Sequence, residues 1–267
     1  MRYGLFLPPF GGLAEPSALV AVAAEAERRG WDGVFLWDHV MYRPPVEAAA
    51  DPWIAMAAIA AATRRVRIGA LVTPLARRRP WIVARQAVTL DRLSGGRLVL
   101  GAGLGLDRSG RELSAFGEEL DDRRRAAMLD EALGLIAALC GGEPVAHRGE
   151  HYLADDVRFL PRPVQQPRIP VWIAGRWPNR PPMRRAARWD GMFAIDMDEP
   201  AQLASLAGEL AALRGGLEGF DMVVMRPPGE DPAPWGAAGA TWWLTDLDPF
   251  TVTAEAAMAL AAGGPPA

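Results

Sequence analysis

The chain has 267 residues, which suits one large domain spanning residues 1–267 and excludes a small disulfide-stapled scaffold. Hydrophobic residues make up 50% and charged residues 23%, enough to bury a sizeable core. The net charge of −3 leaves no electrostatic footprint for nucleic acid or an anionic membrane. The single cysteine, Cys140, excludes an intramolecular disulfide and a cysteine-based metal cluster.

Arg2–Pro8 reads as the first strand. Its apolar stretch is too short for a signal peptide and Pro8-Pro9 breaks it. No later run reaches about 18 apolar residues without charges, so a soluble cytoplasmic protein is expected. Pro16–Arg29 follows as a helix, with proline at its start and Gly30 after its end. Gly33–Trp37 is the second strand. Asp51–Thr63 is the second helix, with Asp51 as N-cap and Pro52 at the first turn. Val66–Thr73, Pro80–Leu93 and Arg97–Ala102 continue as strand, helix and strand. Asp121–Leu139 is a long helix with one apolar face, and Cys140 at its end reads as a buried filler. The arginine runs Arg77-Arg78-Arg79 and Arg123-Arg124-Arg125 read as solvated loops and helix ends.

Gly141–Pro167 breaks this rhythm. It is rich in glycine, proline and polar residues and reads as an excursion, with a hairpin as its simplest form. The alternation then resumes: strand Pro170–Ala174, helix Arg180–Trp189, strand Met192–Ile195, helix Pro200–Arg214. Strand Asp221–Met225, a short helix over Ala233–Ala238, strand Thr241–Leu244 and helix Pro249–Ala261 complete eight strand–helix pairs. Gly263–Ala267 reads as a frayed tail. Eight such units predict a parallel α/β (β/α)₈ (TIM) barrel with the excursion between units four and five.

Chemistry is expected at the C-terminal ends of the strands. The second strand ends abruptly in Asp38-His39, two ionisable groups that would be costly on a strand entering a core. Histidine titrates nearest neutrality, so His39 is the candidate general acid/base, with Asp38 as its orienter or a cofactor contact. RLVLGAGLG places Gly101, Gly103 and Gly105 at the fourth strand end, where backbone can approach a flat ligand. Its G-x-G-x-G spacing does not open into a helix as a dinucleotide loop would. IAGRWP ends the fifth strand in Gly175 and Arg176, and backbone N–H groups at the following helix start plus a guanidinium suit a phosphate. The apolar end of the third strand, Leu71-Val72-Thr73, and Phe6 on the first could pack against an aromatic ring. Core filling is the competing reading for them. His147 and His151 are four apart, but Gly149 between them argues against a helical metal site, and no metal is expected.

These segments together resemble the luciferase-like monooxygenase family of flavin-dependent oxidoreductases. The resemblance rests on AEAERRGWDGVFLWDHV, RLSGGRLVLGAGLG, PVQQPRIPVWIAG and the later ARWDGMF. It implies a barrel holding FMN, or alternatively the deazaflavin coenzyme F-420, at its C-terminal mouth. It also implies that Asp38 and His39 contact the coenzyme or move a proton. Leu71, Val72 and Thr73 would line one face of the ring, Gly103, Leu104 and Gly105 would lie near the ring and ribityl chain, and Gly175 and Arg176 would hold the phosphate. Relatives acting on sugar phosphates place an acid just after the fourth-strand glycines. Here Leu106 stands there, with Asp107 next to it. The stretch RPPGEDPAPWGAAGATWW is also short where relatives carry more helix.

The reading that follows is a flavin-dependent oxidoreductase, a monooxygenase or a hydride-transfer enzyme, acting on a small organic substrate. A flavin reductase or NAD(P)H is the implied electron source. The alternative is a flavin-binding or non-catalytic barrel. Relatives of this kind are often homodimers, and ten tryptophans exceed what the core obviously needs, so a homodimer is expected.

Overall fold

Each unit of the sequence delivers a strand and then a helix in the computed structural model, which describes residues 1–266. The first four are β1 (Arg2–Leu7) and α1 (Pro16–Arg28), β2 (Gly33–Leu36) and α2 (Pro52–Ala62), β3 (Arg67–Pro74) and α3 (Pro80–Ser94), β4 (Leu98–Gly103) and α4 (Asp122–Cys140). After an antiparallel hairpin of β5 (Pro144–Arg148) and β6 (Leu153–Arg158) come β7 (Val171–Arg176), α5 (Arg180–Ala186), β8 (Gly191–Ile195) and α6 (Pro200–Arg214). β9 (Asp221–Arg226), α7 (Ala233–Ala237), β10 (Trp242–Asp246) and α8 (Ala254–Gly263) complete the chain.

The barrel is closed, in the order β1-β10-β9-β8-β7-β4-β3-β2, with all neighbours parallel. β4 pairs directly with β7, so the excursion lies outside the barrel. The reduced stretch before β10 still delivers a strand that pairs with both β9 and β1. Outside the barrel, Glu131 of α4 accepts from His147 Nε2 at 2.9 Å and from the backbone N–H of His151 and Tyr152. Both histidines of the excursion are thereby tied to the helix beneath them.

Local chemistry sets the helix ends. Pro16, Pro52, Pro80 and Pro200 open their helices, where a missing N–H costs nothing. Asp51 accepts from Ile54 N at 2.9 Å as the cap of α2. The last helix is shorter than the sequence suggests. It begins at Ala254, not near Pro249, because Thr253 caps it by accepting from Ala256 N at 3.1 Å.

Large rings fill the lower barrel. Phe35 lies 5.3 Å from Trp172 and 5.5 Å from Trp242, centroid to centroid, and all three are fully enclosed. Glycine makes room for them: a Cβ at Gly69 would stand 2.5 Å from the Val99 carbonyl oxygen and 3.3 Å from the Phe35 ring. These rings also correct the argument from tryptophan number. None of the ten is exposed; Trp31, Trp53, Trp172, Trp235, Trp242 and Trp243 are buried and the others half-buried. The core absorbs the apparent surplus, which therefore says nothing about a dimer. The arginine runs are corrected in part: Arg79, Arg123 and Arg124 are exposed as expected. Arg77 and Arg125 each have a side chain only 5% exposed.

Because backbone blocks the space beside Gly69, the surroundings cannot yield cheaply. Gly69→Ala should lower stability by about 1–3 kcal/mol, the usual cost of overpacking. A urea titration followed by tryptophan fluorescence measures it.

Candidate functional site

The C-terminal mouth of the barrel holds a cavity of about 410 Å³, within the usual range for small-molecule sites. Its inner wall is apolar, with Phe6, Leu71, Val72, Phe193, Ile195 and Met225. Its polar wall includes His39, Arg108, Arg176 and Asn179.

The β3 wall depends on an irregularity. Adjacent residues of a regular strand face opposite ways. The β3–β4 register shifts between Ala70 and Thr73, and Leu71 and Val72 both reach the cavity. The glycines of β4 accommodate that bulge. A Cβ at Gly103 would meet Val72 Cγ2 at 2.5 Å, and one at Gly101 would meet the Ala70 oxygen at 2.2 Å. Their first role is thus to let protein approach protein, a correction to the ligand-approach reading. Gly103, Leu104 and Gly105 nonetheless line the cavity, as do Gly175 and Arg176. Thr73 is different: it is fully buried, lies outside the lining, and its hydroxyl has no hydrogen-bond partner among the described residues.

His39 is set by a network that crosses three strand ends. Its Nδ1 lies 2.6 Å from Glu112 Oε2. A carboxylate can only accept, so Nδ1 is the donor and Nε2 is left for chemistry. Glu112 also accepts from Val40 N at 2.6 Å and from Arg77 Nη1 at 2.9 Å. Burial opposes its ionisation, but the hydrogen bond and charge of His39, the Arg77 guanidinium and the Val40 N–H outweigh that and hold its carboxyl below the usual range. The other face of Arg77 holds Asp38: Nη2 donates to Asp38 Oδ1 at 2.8 Å and to its carbonyl oxygen at 2.9 Å. Arg78 Nη2 at 3.0 Å and Trp53 Nε1 at 3.1 Å occupy the rest of the Asp38 carboxylate.

Two expectations change here. Asp38 reaches the cavity wall, but it does not orient His39; Glu112 does. Arg77 and Arg78 are the counter-ions of the site and not a solvated run. Glu112 carried one sequence signal, an acid directly before Leu113 in the loop after β4. Both residues are buried.

The phosphate expectation changes in its donors. α5 has only seven residues, and its first turn contains Pro181 and Pro182, which have no N–H. The guanidiniums carry the positive charge instead. Arg185 is committed to Asp130 at 2.8 Å. Arg176 pairs with the exposed Asp196, and Arg108 is exposed at the rim.

The family model for luciferase-like monooxygenases matches residues 1–228. The chain belongs to this family. It is 33% identical over 208 residues to an F-420-dependent glucose-6-phosphate dehydrogenase of Nakamurella multipartita, covering 76% of this chain and 58% of the relative. A second such dehydrogenase, of Amycolatopsis mediterranei, is 36% identical over 168 residues, covering 61% of this chain and 49% of the relative. The chain thus spans about half the length of these relatives. Among solved structures, an F-420-dependent secondary alcohol dehydrogenase in complex with an F-420–acetone adduct superposes with a TM-score of 0.78 at 19% identity, covering 92% and 93% of the two chains. A coenzyme F-420-dependent tetrahydromethanopterin reductase from Methanopyrus kandleri gives 0.76 at 15% identity and covers 97% of each chain. These two likenesses concern the fold.

Within this luciferase-like barrel the fourth-strand loop presents Leu106 to the cavity. The neighbouring acid, Asp107, turns away and accepts from the backbone N–H of Leu113 and Ser114 at 2.9 and 2.8 Å. It builds the loop that delivers Glu112.

A carboxyl held low in the folded state stabilises the fold above its unfolded value, and that stabilisation is lost as pH falls through the folded one. The stability gap between the unaltered protein and Glu112→Gln should therefore be constant above about pH 5 and shrink below the ordinary glutamate value of 4.5. Paired thermal melts across acidic pH test this; a gap that widens on acidification would contradict the assignment.

Proposed function

We propose that this chain is a deazaflavin-dependent oxidoreductase that moves a hydride to or from a small organic substrate. The observation that carries the reading is His39, presented to an apolar-walled cavity with Nδ1 anchored on a buried carboxylate and Nε2 available. The donor set fits a flat ring with an anionic tail: apolar side chains for the ring, and Arg108, Arg176 and Asn179 for the charged end. The F-420-dependent relatives favour coenzyme F-420 over FMN. When bound, the deazaflavin supplies the hydride acceptor or donor.

The chain's own residues manage binding and the proton. In the oxidation of an alcohol, the hydroxyl proton passes to His39 Nε2 as the carbon loses its hydride. Glu112 steadies the resulting positive ring, and Arg77 keeps Glu112 charged and fixed. Gly175 and Arg176, which line the cavity, would hold the phosphate end of the coenzyme. Leu106 at the position where sugar-phosphate enzymes carry an acid argues for a less polar substrate than a sugar phosphate.

The test is a fluorescence titration with F-420 and with FMN, followed by an alcohol panel with F-420 as acceptor. F-420 should bind more tightly. Arg176→Ala should weaken that binding by about 1.5–3 kcal/mol, roughly ten- to a hundredfold. His39→Ala should bind F-420 nearly unchanged and lose about 10²–10⁴-fold in turnover. Tight FMN binding without F-420 binding would overturn the coenzyme assignment, and full activity in His39→Ala would remove His39 from the reaction.

A further inference from the structure

A second acid stands at the barrel mouth, outside the Arg77 network. β10 ends in Asp246, in register with Phe6 of β1. Its Oδ1 is buried with no hydrogen-bond partner among the described residues, and the same is true of Trp37 Nε1. The two groups are neighbours: Asp246 is in register with Phe6, whose ring centroid lies 5.4 Å from that of Trp37, and the indole N–H favours the charged form of this carboxyl. They nevertheless stop short of a bond of normal geometry. Burial is the larger influence and, with Asp248 adding to it, the Asp246 carboxyl is pushed up to about 7.

Trp37 forms part of the cavity wall. Its ring centroid is 5.4 Å from Phe6 and 5.9 Å from His39. Any shift of the indole therefore reshapes the wall beside the nitrogen proposed to move the proton. A neutral acid exerts little pull on an indole N–H, whereas a carboxylate forms a bond roughly twice as strong as a neutral pair.

We propose that Asp246 is a positioning residue for Trp37: the ionised carboxylate draws the indole N–H into a closed hydrogen bond, the protonated acid releases it, and the cavity wall beside His39 changes with that proton. The proposal rests on the cavity being the working site, as argued above. The proton exchanges with solvent, and no covalent step is involved. Other charged or titratable groups on the neighbouring elements are Asp248, which follows β10, Arg226 of β9, in register with Thr245, and Tyr42, His39 and Arg43 from the loop after β2. Tyr42 is itself pushed up by burial, and the Arg43 guanidinium lies 6.0 Å from its ring.

The indole N–H of Trp37 reports directly on this. Its ¹H–¹⁵N resonance, assigned by its loss in Trp37→Phe, is followed across about pH 5–9 in the coenzyme-free chain. The expected result is a titration with a midpoint near 7, abolished in Asp246→Asn and kept in His39→Asn. A flat response in the unaltered protein, or a titration that survives in Asp246→Asn and vanishes in His39→Asn, would overturn the proposal. Should Asp246→Asn fail to fold, the ¹³Cγ resonance of Asp246 in the unaltered protein must share the indole midpoint; a different midpoint would equally refute the link. With F-420, the dissociation constant should change severalfold over the same interval and be flat in Asp246→Asn. If F-420 binds at no pH, the functional reading fails while the indole titration still judges this one.

Discussion

The guanidinium of Arg77 is the fixed point of the site. It donates at 2.9 Å to Glu112 and at 2.8 Å to Asp38, and its side chain is 5% exposed while theirs are 2% and 1%. Carboxylates so enclosed cost several kcal/mol each unless every charge is matched. Matching both through Arg77, with Arg78 adding to it at Asp38, forces the end of β2, the turn after β3 and the loop after β4 into a single arrangement. His39 inherits its position from that constraint. Its Nδ1 goes where Glu112 is, and Glu112 goes where Arg77 allows.

The barrel supplies the rest by steric means. Large rings fill its lower part, leaving the mouth as the place where polar groups and space coincide. The β3 bulge turns two consecutive apolar side chains toward the cavity, and β4 tolerates it because Gly101 and Gly103 have no Cβ to collide. An apolar wall on one side and arginines on the other result from the same few strand ends. The chemistry proposed for His39 would thus take place against these walls.

Much of the fold was legible because the barrel alternates between period-two strands and period-3.6 helices, which local pattern registers well. The fifth barrel strand and the hairpin before it were visible from proline and glycine punctuation. The site was legible where a charge interrupts an apolar run, as at Asp38-His39, and where glycine ends a strand, as at Gly103, Gly105 and Gly175, all of which line the cavity. Arg77 carried no such signal. Nothing within Arg77-Arg78-Arg79 says which side chain turns inward, because the partners lie 39 and 35 residues away. Glu112 sits in a loop whose course is set by Asp107 bonding to backbone, a contact without periodicity. Asp246 was missed for a related reason. A charge usually marks the end of a strand, so the eighth strand read as ending at Leu244, two residues before the mouth. The short α5 was the reverse case, since Pro181-Pro182 announced the missing N–H groups in the sequence itself.

The dependence of the site on Arg77 is tested most directly by a double-mutant cycle on stability, using Arg77→Met, Glu112→Gln and both together. If the pair acts as a unit, each single change already loses the interaction, and the double variant should be less destabilised than the sum by about 1 kcal/mol or more. Additivity within about 0.3–0.5 kcal/mol would show two independent groups and contradict the account.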